Sequence, residues 1–349
     1  MHRPLISASR LPELLRAMPK AELHMHIEGS LEPELIFSMA QRNGVTLSYP
    51  TVEALRDAYV FDDLQSFLNI YHEGTKVLKT EQDFYEMTCA YLARASADNV
   101  LHAELFFDTQ THTIHGQSAE TVINGLYRAC AQAPVNYGMS ASLILCFLRN
   151  QSENDAFECL EQVLPLREKI VGIGLASGEV GNPPEKFARV FARARELGFR
   201  LVAHAGEEAS SAYIWSALDA LKVERIDHGV QAIHDAALMQ RLANDRVPLT
   251  VCPLSNVKLK VFPHLEKHNL RQMLDGGIVA TINSDDPAYF GGYINENFTR
   301  AFAALGMDSR HAYQVARNSF EASFLDQQIK RQYVDRLDAV FEEFAQGVQ

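Results

Sequence analysis

The stretch Leu201-Val202-Ala203-His204-Ala205-Gly206-Glu207-Glu208 decides how this chain is read. An apolar run carrying the β-branched Val202 ends in a histidine, and a glutamate follows three residues later. Short apolar runs bounded by small residues read as buried strands. His204 therefore sits where a strand leaves a core, and Glu207 falls in the loop beyond it. A metal-ligand histidine beside a proton-carrying glutamate has this form. So does a core histidine next to a solvated acid, and taken alone the stretch favours that plainer reading. What tips the balance is that the same arrangement recurs along the chain.

Near the start, Ala21-Glu22-Leu23-His24-Met25-His26 is strand-like and runs into Ile27-Glu28-Gly29-Ser30. Residues two apart on a strand point to the same side, so His24 and His26 make half of a metal site. Further on, Arg225-Ile226-Asp227 ends in His228-Gly229, and Leu249-Thr250-Val251-Cys252 runs into Pro253-Leu254-Ser255-Asn256. The run 278–282 ends in Asn283-Ser284-Asp285-Asp286-Pro287. Strand-like runs at 100–107, 140–147 and 170–176 bring the number to eight. Helical patterns fill 119–133, 154–168, 184–197, 210–221, 235–242 and 265–274. A long helical insertion, 33–97, follows the first strand and serves either as a lid or as an outer layer. Helices from about 295 to 344 brace the ring. Strands alternating with helices, with no Gly-rich phosphate fingerprint after the first strand, predict a (β/α)8 TIM barrel of the α/β class rather than a doubly wound sheet. No linker, repeat or composition shift divides the chain, so residues 1–349 are expected to form a single domain.

The bulk numbers narrow the partners. The chain has 349 residues and a formal net charge of −12, without a Lys/Arg cluster, which argues against nucleic acid and anionic membrane surfaces. Its apolar runs fall short of a membrane span. The beginning, Met1-His2-Arg3-Pro4, lacks the apolar core of a signal peptide. The five cysteines are odd in number, scattered and free of any Cys-X-X-Cys pair. That pattern predicts reduced thiols in a cytoplasmic protein and no thiolate zinc site. Homo-oligomer formation is left open.

In a barrel of this kind, functional groups gather at the C-terminal ends of the strands. His24, His26, His204, His228, Asp285 and Asp286 all fall there. Three imidazoles and a carboxylate suit a borderline divalent ion such as zinc, with a position left for water. Such an ion brings the pKa of its water toward neutrality. His228 and the second aspartate are then best used to orient that water and the substrate.

His24-Met25-His26, His204-Ala205-Gly206-Glu207, Asp227-His228-Gly229 and Ser284-Asp285-Asp286-Pro287 resemble, in order and spacing, the motifs of the adenosine/adenine deaminase family of the amidohydrolase superfamily. The match spans roughly residues 20–330. The resemblance implies one Zn2+ held by His24, His26, His204 and Asp285. It implies that Glu207 moves protons to and from a purine ring, that His228 helps activate the hydroxide, and that Asp286 hydrogen-bonds the base. Phe107-Asp108-Thr109-Gln110, Glu179-Val180-Gly181-Asn182-Pro183-Pro184 and Asp286-Pro287-Ala288-Tyr289-Phe290 are most similar to the adenine deaminase branch. The implied reaction is hydrolysis of adenine, a small-molecule purine base, to hypoxanthine and ammonia in purine salvage. Glu28 stands where adenosine deaminases have an aspartate, and its longer side chain is expected to reach the place a ribose would occupy. Ser177 or Gly178 is expected to contact the base. The alternatives are deamination of adenosine or of another 6-aminopurine, and a purine-binding protein that has lost turnover.

Overall fold

Alternation along the strands accounts for the architecture. In the computed structural model, which describes residues 5–346, the strands are β1 (Lys20–His26), β2 (Val100–Phe107), β3 (Ser140–Leu148), β4 (Gly172–Ala176), β5 (Arg200–Ala205), β6 (Arg225–His228), β7 (Leu249–Val251) and β8 (Ala280–Ile282). The segment Met1-His2-Arg3-Pro4, examined above for a signal peptide, lies outside the described residues. Side chains of one parity, among them Leu23, Leu105, Leu145, Leu175, Ala203, Ile226 and Ile282, join the large apolar core beneath the surrounding helices. The opposite parity faces the barrel axis. There Phe106, Ile144, Cys146, Ala176 and Val202 form a small apolar cluster. Below it, the fully buried Arg225 guanidinium donates to Glu104 at 2.6 Å and to the Leu23 carbonyl at 3.1 Å.

The eight strands pair in sequence order, each parallel to the next. The ring closes through a parallel bridge between Met25 and Asp285. In it the His26 amide donates to the Asp285 carbonyl at 2.9 Å and the Asp285 amide to the His24 carbonyl at 3.1 Å. The protein is thus a (β/α)8 barrel, as its strand–helix alternation predicts.

The insertion after β1 is a set of helices, Pro33–Asn43, Val52–Asp57, Leu64–Thr75 and Glu81–Ala97. An Asp63–Ser66 capping box starts Leu64–Thr75, which covers the barrel mouth as a lid, while Glu81–Ala97 packs on Ala119–Tyr137 in the outer layer. The helix expected to stop before Pro134 continues through it to Tyr137 and ends at Gly138, in the left-handed region at φ 66°. The stretch into which β7 runs, Pro253–Lys258, is a short helix with proline at its first position, where a missing N–H costs nothing. Among the described residues no helix is long and apolar enough to cross a membrane.

Candidate functional site

The strand ends bring the expected residues together. β1 carries His24 and His26 on one side, β5 carries His204, and Asp285 follows β8. Three non-glycine residues at strand ends adopt positive φ, Ser177 (76°), His228 (64°) and Asp285 (64°). Such conformations are uncommon and turn the chain sharply at functional rims. Gly206, at φ 69°, does the same after β5, and a Cβ there would strike Ile214.

Hydrogen bonds from behind aim the imidazoles. His24 Nδ1 lies 3.0 Å from the Thr250 hydroxyl and 3.1 Å from its carbonyl. That hydroxyl donates to Asp227 at 2.9 Å, and the other Asp227 oxygen lies 3.4 Å from His204 Nδ1. Both rings therefore turn Nε2 inward, the usual means of orienting metal-binding histidines. His26 Nε2 and His204 Nε2 face each other at 3.1 Å. His24 Nε2, fully buried and without a hydrogen bond, lies 3.2 Å from Asp285 Oδ1, which is 3.6 Å from His26 Nε2. Ligand atoms of His24, His26, His204 and Asp285 all fall within 4.8 Å of one another. Converging imidazole nitrogens beside a carboxylate fit a divalent cation. The described residues include a second such group, in which His228 and Cys252 join His24 and Asp285. Burial pushes the Cys252 thiol well above its usual range, which favours the set of three imidazoles and a carboxylate.

Beside this cluster stands Glu207. Its Oε2 is 3.4 Å from His228 Nε2, and its buried Oε1 makes no hydrogen bond. Burial, then the charges of Asp285, Glu208 and Glu179, hold its carboxyl well above the usual carboxylate range. The same acid–base logic applies to Asp286, raised by burial and by Asp285. Gly29 makes room for it, since a Cβ there would come within 2.7 Å of the Asp286 Cα.

A cavity opens over these groups. His26, His204, Glu207, His228, Asp285 and Asp286 line its floor. Leu64, Phe67, Leu68, Tyr71 and His72 of the lid helix cover it, and Phe107, Asp108, Leu148, Ala176 and Ser177 form its wall. Ser177 lines this inner chamber, whereas Gly178 lines only an outer vestibule that also contains Asp63 and Glu208. Of the two residues expected to contact the base, Ser177 is the one that lines the inner chamber.

Glu28 also departs from expectation. It lies in the 3-10 turn Ile27–Ser30, 1% exposed, and is absent from the cavity wall. Its carboxylate lies 2.9 Å from His112 Nε2 and accepts from the Tyr71 hydroxyl at 3.3 Å. These two bonds hold the carboxylate behind Tyr71, whose ring lines the cavity. The carboxyl exposed at the wall is that of Asp108, held by the Thr111 amide and hydroxyl at 2.5 and 2.9 Å. Burial, then the Glu28 charge, raises its pKa to about 6. Asp108, Asp227 and Glu179 stood inside quoted motifs, but nothing in the sequence announced their roles.

A parallel barrel whose mouth gathers imidazoles, a carboxylate and a buried acid defines a hydrolase of the amidohydrolase superfamily. The family model described as adenosine deaminase matches residues 19–340, and the chain belongs to that family. It is 73% identical to an adenine deaminase of Albidiferax ferrireducens, over 97% of this chain and 98% of the relative. The crystal structure of adenine deaminase from Arthrobacter aurescens superposes with a TM-score of 0.92 at 49% identity, covering 93% of this chain and 100% of that one. An amidohydrolase from Burkholderia ambifaria, solved with bound Zn, gives a TM-score of 0.89 at 26% identity, covering 98% and 95%.

Proposed function

We propose that this single-domain protein, residues 1–349, is a cytoplasmic adenine deaminase that holds one zinc ion through His24, His26, His204 and Asp285. The observation that carries the reading is the pairing of that ligand cluster with a buried Glu207, its carboxyl held above the usual carboxylate range, on one cavity floor. When bound, the ion supplies Lewis acidity and activates water for addition at C6 of the purine. Glu207 donates a proton to ring N1 as C6 is attacked, a task for an acid kept protonated by burial. His228, 3.4 Å from Glu207, orients the water. Of the two protons the water brings, one ends on N1 by way of Glu207 and the other on the departing amino group, leaving hypoxanthine and ammonia. Asp286 hydrogen-bonds the imidazole side of the base, and Ser177 closes the far wall. Asp108, rather than Glu28, is placed to accept a ring N–H that free adenine has and adenosine lacks.

The apolar lid residues Phe67, Leu68 and Tyr71 exclude water from the reacting atoms, which strengthens each of these contacts. Metal analysis followed by an ammonia-release panel of adenine, adenosine, deoxyadenosine and other 6-aminopurines tests the proposal. Stoichiometric zinc with adenine as the best substrate is expected. Metal-loaded protein that releases ammonia from none of them would return the purine-binding alternative.

A further inference from the structure

Glu179, on the turn that follows β4, does not touch the cavity floor, yet it is 1% exposed and carries an unusual load. One of its oxygens accepts from the Gly206 amide at 2.6 Å. The other accepts from the amides of Glu207, Glu208 and Ala209 at 3.0, 2.9 and 2.9 Å. Four consecutive N–H groups thus wrap one carboxylate, an anion-binding nest whose anion is a side chain of the neighbouring turn. This nest is the backbone of the loop that bears Glu207. The opposite edge of that loop is fixed from the 3-10 turn after β6, Val230–His234, where the Gln231 amide donates to the Gly206 carbonyl at 2.9 Å and its side chain to the Glu207 carbonyl at 3.1 Å.

Glu179 is itself held. The Asn182 amide donates to its carbonyl at 3.0 Å, and Asn182 also donates through its side chain to the Gly178 carbonyl at 3.1 Å. The buried Arg149 ties the same turn to β5, donating to the Asn182 carbonyl at 2.9 Å and to the His204 carbonyl at 2.6 Å. A chain of bonds therefore joins the turn after β4 to both His204 and Glu207.

We propose that Glu179 is the positioning residue for Glu207, its carboxylate fixing the loop amides so that the proton carrier meets the purine ring in one orientation. The proposal rests on the role given to Glu207 above. Neutral groups could close a surface loop equally well, but four aligned donors buried from water call for a formal negative charge. Glu179→Gln replaces one oxygen with an NH2 that must face an amide donor, so the loop shifts.

The test uses metal-loaded protein and adenine. Glu179→Gln should lower kcat by about 10²-fold, the scale set by a displacement of about 1 Å at a catalytic group, with KM and metal content little changed. In a Glu207→Gln background the same substitution should cause no further loss of residual turnover, measured with excess enzyme. Glu179→Asp, which keeps the charge on a shorter arm, should fall between wild type and Glu179→Gln, and it serves in place of Glu179→Gln if that variant fails to fold. Wild-type kcat in Glu179→Gln, or an equal proportional loss in both backgrounds, overturns the proposal. Wild-type protein that releases no ammonia from adenine defeats the functional reading itself, whereas an active wild type with an unaffected Glu179→Gln defeats only the positioning role.

Discussion

The His26 amide donates to the Asp285 carbonyl at 2.9 Å, so the bond that closes the barrel joins two members of the candidate metal cluster. Closure of the fold and assembly of the site are one event. The backbone of this pair stays in place when a side chain changes, which makes the side chains separable by mutation. Asp285 sits at φ 64°, a conformation asparagine tolerates. Asp285→Asn should therefore fold, lose most of its metal and lose activity. Asp286→Asn should retain metal and lose mainly kcat/KM for adenine. Equal metal loss in the two variants, read by elemental analysis, would show that the pair has been assigned the wrong way round.

Glu207→Gln keeps shape and volume and leaves the ligand set untouched. General acid–base catalysis is worth about 10²–10⁴-fold, so kcat should drop by at least that order while metal content holds. Turnover near the wild-type rate would remove Glu207 from the reaction.

Much of this was legible in the sequence because strand ends are local. The run 100–107 and the dipeptide Asp227-His228 identify their strands through apolar alternation and a following polar residue, and both lie where they were expected. What was not legible depends on partners distant in the chain. Glu179 bonds residues 27 to 30 positions away, and Thr250 meets His24 across 226. The direction of the Glu28 carboxylate is likewise set by distant partners, His112 and Tyr71. The helical pattern at 119–133 ran short of Tyr137 because a proline one turn from a helix end, Pro134, breaks little when a glycine caps it.

Lys20, at the opposite end of β1, gives a pH prediction for stability. It is fully buried, donating to the Asp98 carbonyl at 2.9 Å and to Asn295 at 3.1 Å. Burial lowers its pKa from 10.5 to about 7, against the charges of Asp98 and Glu22. Between those values the unfolded chain binds the proton and the folded one does not, so stability from this group rises with pH across the window. Below about 7 both states are protonated and that contribution is lost. The difference in Tm, wild type minus Lys20→Met, should therefore grow from pH 6 to pH 9, by about 1–2 °C for each kcal/mol involved. A difference independent of pH would mean that Lys20 keeps an ordinary pKa.

The remaining prediction concerns what the pocket rejects. The lid side chains Phe67 and Tyr71 close over the cavity, and the wall beside them presents the Asp108 carboxyl. In the pose proposed above, with the amino group and the adjacent imidazole nitrogen at the floor, the far nitrogen of the five-membered ring would face that lid and wall. Free adenine offers a ring N–H to Asp108, whereas adenosine offers no proton there and adds a sugar that must displace Tyr71. A site built on such a bond discriminates against the analogue lacking it by about 10⁴–10⁵-fold, and kcat/KM should favour adenine by that order. Asp108→Ala should damage adenine turnover far more than adenosine turnover and narrow the gap. Glu28→Gln should act more weakly and in the same direction, because Glu28 reaches the substrate only through neighbours, the Tyr71 hydroxyl it accepts from at 3.3 Å and the Asp108 carboxyl its charge acts on. Steady-state kinetics of both variants with both substrates decide the matter. Equal losses for adenine and adenosine in Asp108→Ala would leave the lid, and not this carboxylate, as the source of the selectivity.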